Sequence, residues 1–185
     1  MFKHSYQNLN HCRCQKPTET GLVSYGETIY DTFPTISAIK RRLAYMVRTF
    51  PGTMWHDPGH ARRMNSVHCL TGYNPARNTN AYYAAVYLLS ADTDLYCRTI
   101  NCYTPTGIRF DRVWRRGISI LGYDLLGAAK TIYYGTPDLT LEDLADCEII
   151  DTETFQLIAI ALLILRYGPE VLQIVQRRRR EWDDG

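Results

Sequence analysis

Apolar residues recur along this chain at helical spacing, in blocks that Gly and Pro separate. Ile36, Ile39, Leu43, Met46, Val47 and Phe50 fall on one stripe of a 3.6-residue turn, and Pro51-Gly52 closes the block, so a helix is predicted there. AYYAAVYLLSA, residues 81–91, is apolar nearly all round, which predicts a helix buried on every side. Asp92 caps a short helix over TDLYCRTINCY, which Pro105 and Gly107 close. A further stripe runs through Leu121, Leu125, Ala128, Ala129 and Ile132 and stops at Gly135 and Pro137. Thr140 with Asp143 forms a near capping box for LEDLADC. Asp151 or Thr152 opens the apolar run FQLIAIALLILRY, Gly168-Pro169 ends it, and Pro169 starts a last helix running into Arg177 to Arg180.

The remaining segments are less periodic. PGTMWHDPGH and TGYNPARNTN are turn-rich and flank a short helix over 61–70. Residues 1–34 are polar without a helical period, and GLVSYGETIYDTF predicts a small hairpin around Gly26. The expectation is an all-α, single-domain bundle of about seven helices over 35–185, with a partly ordered N-terminal arm over 1–34. The bundle should be built around the run 155–165, with Ile158 and Leu162 buried.

Composition narrows the class. With 45% hydrophobic and 22% charged residues the chain has ordinary globular make-up, which excludes wholesale disorder. The longest apolar stretch, Leu157 to Leu165, is too short to cross a bilayer. The opening MFKHSYQNLNHCRCQKP lacks the apolar core of a signal peptide, so a cytoplasmic location is expected. Reducing conditions there favour free thiols, with Cys97, Cys102 and Cys147 read as small buried apolar residues.

Charge changes the picture more. The net charge of +2 hides a polarised chain: Lys40 to Arg116 holds twelve basic against four acidic residues, while Thr136 to Thr154 holds seven acids and no base. Seventeen of the twenty-one basic residues are arginine, the side chain that binds carboxylate and phosphate bidentately and stacks on rings. Lys40, Arg41, Arg42 and Arg48 lie on the polar face of the first helix, and RFDRVWRR interleaves Arg109, Arg112, Arg115 and Arg116 with Phe110 and Trp114. The mixture suits phosphate contact with base stacking, or a protein hot spot. The other reading is that Phe110, Val113 and Trp114 anchor in the core while the arginines pair with acids of 136–154. Lys40, Arg41, Arg42, Arg48, Arg109, Arg112, Trp114, Arg115 and Arg116 are thus the candidate partner-binding residues. The acids Glu142, Asp143, Asp146 and Glu148 read as a solvated face, or one that docks on another protein's basic groove.

Enzyme-like patterns are weak. Gly122-YDLL-Gly127-AA-Lys130-Thr131 mimics a phosphate loop, but the lysine lies two places too late and no strand precedes it. His11, Cys12 and Cys14 form one zinc-type cluster, and His56, His60, His68 and Cys69 another; neither has knuckle or one-face helical spacing, so hydrogen-bonded neutral histidines are expected and no metal or other cofactor. No nucleophile elbow or catalytic cysteine signature occurs, which argues against an enzyme.

The stretch 58–168, about three fifths of the chain, contains GHARRM, YYAAVYLLSADTDLYCRTINCY, DLLGAAKTIYYG and LTLEDLADCEIIDTETFQLIAIALLILRYG. In this order it resembles an uncharacterised family of small helical proteins carried by phages and mobile elements of Gram-positive bacteria. That family has a His-containing opening, an aliphatic helix before "DLY" and a closing aliphatic-Arg-Tyr triplet, matched by His60, Leu88 to Tyr96 and Leu165 to Tyr167. The N-terminal arm, the first helix, the basic loop and the Arg-rich end depart from the pattern. The resemblance implies a helical fold and mobile-element origin, and carries no catalytic residues. The expected function is a non-enzymatic inhibitor of a bacterial defence system, of the anti-CRISPR type, that binds a host defence protein or ribonucleoprotein in the bacterial cytoplasm. A protein binding DNA or RNA through the Arg-rich face is the alternative, and a zinc-dependent enzyme the third reading. A homodimer is among the expected assemblies; a membrane partner is not.

Overall fold

Helix ends fall where a side chain or a glycine can satisfy the backbone groups that every helix leaves open. The computed structural model describes residues 25–32, 37–136 and 139–173. Among these are eight α-helices: α1 (Tyr25–Thr32), α2 (Ser37–Arg48), α3 (His60–Thr71), α4 (Asn80–Ala91), α5 (Thr93–Thr99), α6 (Ile120–Tyr134), α7 (Leu141–Ala145) and α8 (Thr152–Tyr167). The Thr79 side chain accepts from the Tyr82 N–H to open α4, Asp92 from Leu95 to open α5, Ser119 from Gly122 to open α6 and Asp151 from Thr154 to open α8. Thr140 and Asp143 make the reciprocal capping box of α7. Gly135 stops α6 in the left-handed region (φ 68°), where only glycine sits without strain, and its N–H bonds the Thr131 carbonyl.

The fold is all-α, and among the described residues it has one antiparallel pair of two-residue strands, β1 (Tyr103–Thr104) and β2 (Gly107–Ile108), in the register Tyr103 to Ile108. The centre of the bundle is α4 rather than the run 155–165. Every residue from Ala84 to Ala91 is buried, and α4 packs most extensively on α6 and α8 while also touching α3 and α5. Ala84, Ala85 and Ala91 let these neighbours approach closely, which a ring of bulky side chains would prevent. In α8, Ile158 is buried as expected, but Leu162 is only partly buried; with Leu165 and Arg166 it lies on the edge of the helix, and Leu163 and Ile164 take the inner positions.

Other expectations are corrected. No hairpin forms around Gly26 in the described part of that segment: Gly26 lies inside α1, because Tyr25, Thr28 and Ile29 form a buried helical stripe on α2 and α8. Tyr25 stacks on Phe50 with ring centroids 3.8 Å apart. The segment TDLYCRTINCY is helical only to Thr99; a 3-10 turn (Ile100–Cys102) follows, and Tyr103 is extended because it pairs with Ile108. Cys102 is buried, but Cys97 and Cys147 are exposed, Cys97 because α5 turns Leu95 and Thr99 inward instead. After Pro169 the chain makes a 3-10 turn (Pro169–Gln173), and the Arg177 to Arg180 run lies outside the described residues, as do residues 21–24 and 33 of the expected hairpin.

Candidate functional site

Carbonyl groups left open at helix ends and loops decide what the arginines do. Arg42 points from α2 into the acidic segment: Nη1 donates to the carbonyls of Leu144 (2.9 Å) and Asp146 (3.1 Å), Nη2 to those of Ile150 and Asp151 (both 2.6 Å). The guanidinium also lies 4.3 Å from the Phe155 ring centroid. Burial lowers its pKa, opposed by Cys147, Asp151 and Asp146. Arg63 binds the Ser90 and Ala91 carbonyls at the end of α4 (both 2.6 Å) and the Asp57 carboxylate (2.5 Å), which holds Asp57 below the ordinary carboxylate range. Arg77, buried, binds the carbonyls of Thr71 (3.2 Å), Gly72 and Thr104 (3.3 Å) and stacks over Tyr82, tying the loop after α3 to the hairpin. Arg98 donates Nε to Asp94 (2.6 Å), Nη1 to the carbonyls of Trp114 (3.2 Å) and Arg116 (2.9 Å), and Nη2 to Gly117 (3.1 Å).

The expected partner-binding residues therefore separate into two groups. Arg42 is a structural clamp, and Arg109 pairs locally with Asp111 (3.0 Å). Lys40, Arg41 and Arg48 are exposed on α2, with Arg48 over the ring of Tyr45. Arg112, Trp114, Arg115 and Arg116 are exposed, and among the described residues none of the three arginines forms an ion pair with the acids of 136–154. The structure gives the two basic segments different neighbours: α2 packs on α1 and α7, the loop on α5 and the 3-10 turn after it.

The loop from Arg112 to Tyr123, which includes the first turn of α6, is built from below. Phe110 and Val113 are buried, and Phe110 packs between Tyr133 (5.6 Å) and Tyr134 (5.5 Å). Trp114, which could have been a third anchor, points to solvent. A turn from the Arg115 carbonyl to the Ile118 N–H (3.2 Å) is closed by Gly117 in the left-handed region (φ 70°), and Ser119 then caps α6. Trp114 is 65% exposed, Ile120 82% and Tyr123 62%. Ile120 and Tyr123 are neighbours at i, i+3, and sequence reasoning missed both; the signal was their position off the stripe Leu121, Leu125, Ala128, Ala129 and Ile132. Arg98 was missed too, and only its i, i+4 pairing with Asp94 distinguishes it in the sequence.

The histidines take other roles. The His56 N–H donates to His60 Nδ1 (3.1 Å), so His60 carries its proton on Nε2 and donates to the Tyr87 carbonyl (2.9 Å). Both ring nitrogens are thus held by backbone, and burial lowers the His60 pKa to about 4. His56 reaches Glu153 (3.5 Å), His68 packs on Tyr83, and Cys69 is exposed, so these four do not converge. No group of three or more potential metal ligands exists among the described residues; His11, Cys12 and Cys14 lie outside them. Gly122, Gly127 and Lys130 are all within α6. A cleft of about 220 Å³ between α2 and α8 is lined by Phe50, Trp55 and Leu157 together with the polar side chains of Tyr25, Thr53, His56, Glu153 and Gln156.

No protein-family model, curated protein or solved structure matches this chain. No helix among the described residues is long and apolar enough to cross a membrane.

Proposed function

We propose that this chain is a non-enzymatic protein of phage or mobile-element origin that inhibits a bacterial defence system, of the anti-CRISPR type. It acts in the host cytoplasm by engaging a defence protein or ribonucleoprotein through the loop 112–123. The observation that carries the reading is the Arg98 guanidinium, which fixes the loop backbone at Trp114, Arg116 and Gly117 while the side chains of Trp114, Arg115 and Arg116 stay exposed. A loop set before binding loses less conformational entropy when a partner arrives, and Trp and Arg are the residue types that concentrate binding energy. Backbone capture of both His60 nitrogens supports a structural role for this buried histidine, which favours a binding protein over a zinc enzyme. Mobile-element origin rests on the resemblance carried by His60, Leu88 to Tyr96 and Leu165 to Tyr167.

The test is phage challenge of a bacterium with an active CRISPR system that targets the phage, with and without this chain expressed. The expected result is restored phage plating with the natural sequence, and loss of that restoration with Trp114→Ala/Arg115→Ala/Arg116→Ala. No restoration, together with no complex between the chain and the purified defence ribonucleoprotein, would overturn the reading.

A further inference from the structure

We infer that the loop 112–123 is a binding site for single-stranded nucleic acid. This rests on the reading that the loop is the contact surface, and adds the chemistry of what it contacts.

Charge is the first argument. Arg112, Arg115 and Arg116 place three exposed guanidinium groups within five residues; of the acids nearest in sequence, Asp111 is held by Arg109 and Asp94 by Arg98, and Asp124 is part-buried on α6 just beyond Tyr123. The backbone is the second. The carbonyls of Trp114, Arg116 and Gly117 accept from Arg98, and that of Arg115 accepts from the Ile118 N–H. Four consecutive carbonyls are therefore turned to internal donors. A phosphate, which offers only acceptors, meets donors here without repelling backbone oxygens; a protein surface, which offers donors as well, finds few backbone acceptors. The third argument is the rings. Trp114 and Tyr123 are exposed, and a flat ring beside arginines is the platform on which an unstacked base lies. Bases in a duplex are already stacked and paired, so the rings select a single strand.

Fluorescence anisotropy tests this with labelled oligothymidine and oligouridine of about fifteen nucleotides, a length that spans a typical single-strand site, and a duplex of equal length. The full chain should bind the single strands at least tenfold tighter than the duplex at low salt, and lose affinity as salt rises. Arg115→Ala/Arg116→Ala should weaken binding at least tenfold and flatten the log–log salt slope by about 1.4, since each single-strand phosphate contact contributes about 0.7. Trp114→Leu should weaken binding about tenfold with the slope unchanged. Arg98→Lys keeps the charge but releases the loop carbonyls, and should weaken binding without moving the slope. Equal affinity for duplex, no binding at low salt, or variants that bind like the natural chain with their circular dichroism intact would each overturn the inference. Loss of phage protection in the double variant without oligonucleotide binding by the natural chain would sink this inference and leave the proposed function standing; oligonucleotide binding without phage protection does the reverse.

Discussion

Lys40-Arg41-Arg42 and Arg115-Arg116 look alike as sequence, yet one ends inside the fold and the other at its surface. In the first, the guanidinium of Arg42 turns onto the backbone of the acidic segment, binding four carbonyls between Leu144 and Asp151. In the second, the backbone carbonyls are held from beneath by Arg98, and the guanidinium groups of Arg115 and Arg116 are left outside. The difference shows what sorts arginines in a helical protein of this size: an arginine is drawn in wherever a helix end or loop leaves carbonyls without donors, and stays out where another arginine already supplies them. Among the described residues, the acidic segment thus stays beside the basic helix through its peptide groups, with no ion pair between its carboxylates and the arginines of α2.

Removing the inner arginine should have the largest effect. Arg42→Ala leaves four carbonyls without their donor and uncovers the Phe155 ring, and should cost roughly 2 to 4 kcal/mol of stability. Its neighbour Arg41, which is exposed, should cost less than about 0.5 kcal/mol when replaced by Ala. Urea unfolding of both variants measures the contrast, and hydrogen exchange should show the loss of protection confined to the backbone around 144–155 in Arg42→Ala. Equal effects from the two neighbours would break the comparison.

The region of the Arg63 clamp also predicts an acid limit that the exposed loop does not share. His60 has its pKa lowered from 6.5 to about 4, so between those values the unfolded chain takes up a proton that the folded chain refuses. Stability is therefore fully present above pH 6.5 and falls as pH drops towards 4, by up to roughly 3 kcal/mol from this one group. Asp57, held below its ordinary value by Arg63, adds a loss in the same direction at lower pH. His60→Gln should flatten the fall between 6.5 and 4 in denaturation midpoints measured against pH. A wild-type midpoint that does not move over that window would show His60 to be far more exposed than its two backbone bonds imply.

How much of this was legible beforehand follows the range of the interactions. Capping is local, and Asp92, Thr140 and Gly135 are legible in the sequence because their partners lie within four residues; of Asp151 and Thr152, the structure makes Asp151 the cap. The inward turn of Arg42 was not, since its acceptors lie 102 to 109 residues away and are peptide carbonyls, which leave no mark in a pattern of side chains. Phe110 and Val113 could be named as anchors from their setting among arginines, but nothing local told Trp114 apart from them; that depends on where Tyr133 and Tyr134 leave room. Tyr25 and Ile29 form a two-turn stripe too short to stand out against Gly26, and only their burial on α2 and α8 makes α1 a helix.

A smaller effect should come from the arginine that joins the two behaviours. Arg98 lies beneath the loop, but the carbonyls it holds are near solvent, so water can replace its hydrogen bonds in part. Arg98→Met should cost about 1 to 2 kcal/mol and speed hydrogen exchange at 114–118 without affecting the core helices. Protection unchanged at those positions would mean that the turn from Arg115 to Ile118 holds the loop by itself.

The smallest expected change in stability belongs to the residues assigned the function. Arg115 and Arg116 touch no acid among the described residues, and their backbone carbonyls remain bonded whatever the side chain, so Arg115→Ala/Arg116→Ala should shift stability by less than about 0.5 kcal/mol. Three like charges within five residues repel one another, so the double variant could even gain slightly at low salt, and that gain should vanish as salt screens the repulsion. The same pair set beside Arg42→Ala makes a clean contrast: one substitution lowers the midpoint and keeps the exposed loop, the other keeps the midpoint and removes the loop's charge. Thermal unfolding at low and high salt reads both. A loss of more than about 1.5 kcal/mol in the double variant would place these arginines with Arg42, as part of the scaffold, and would take from the loop its standing as a surface built for a partner.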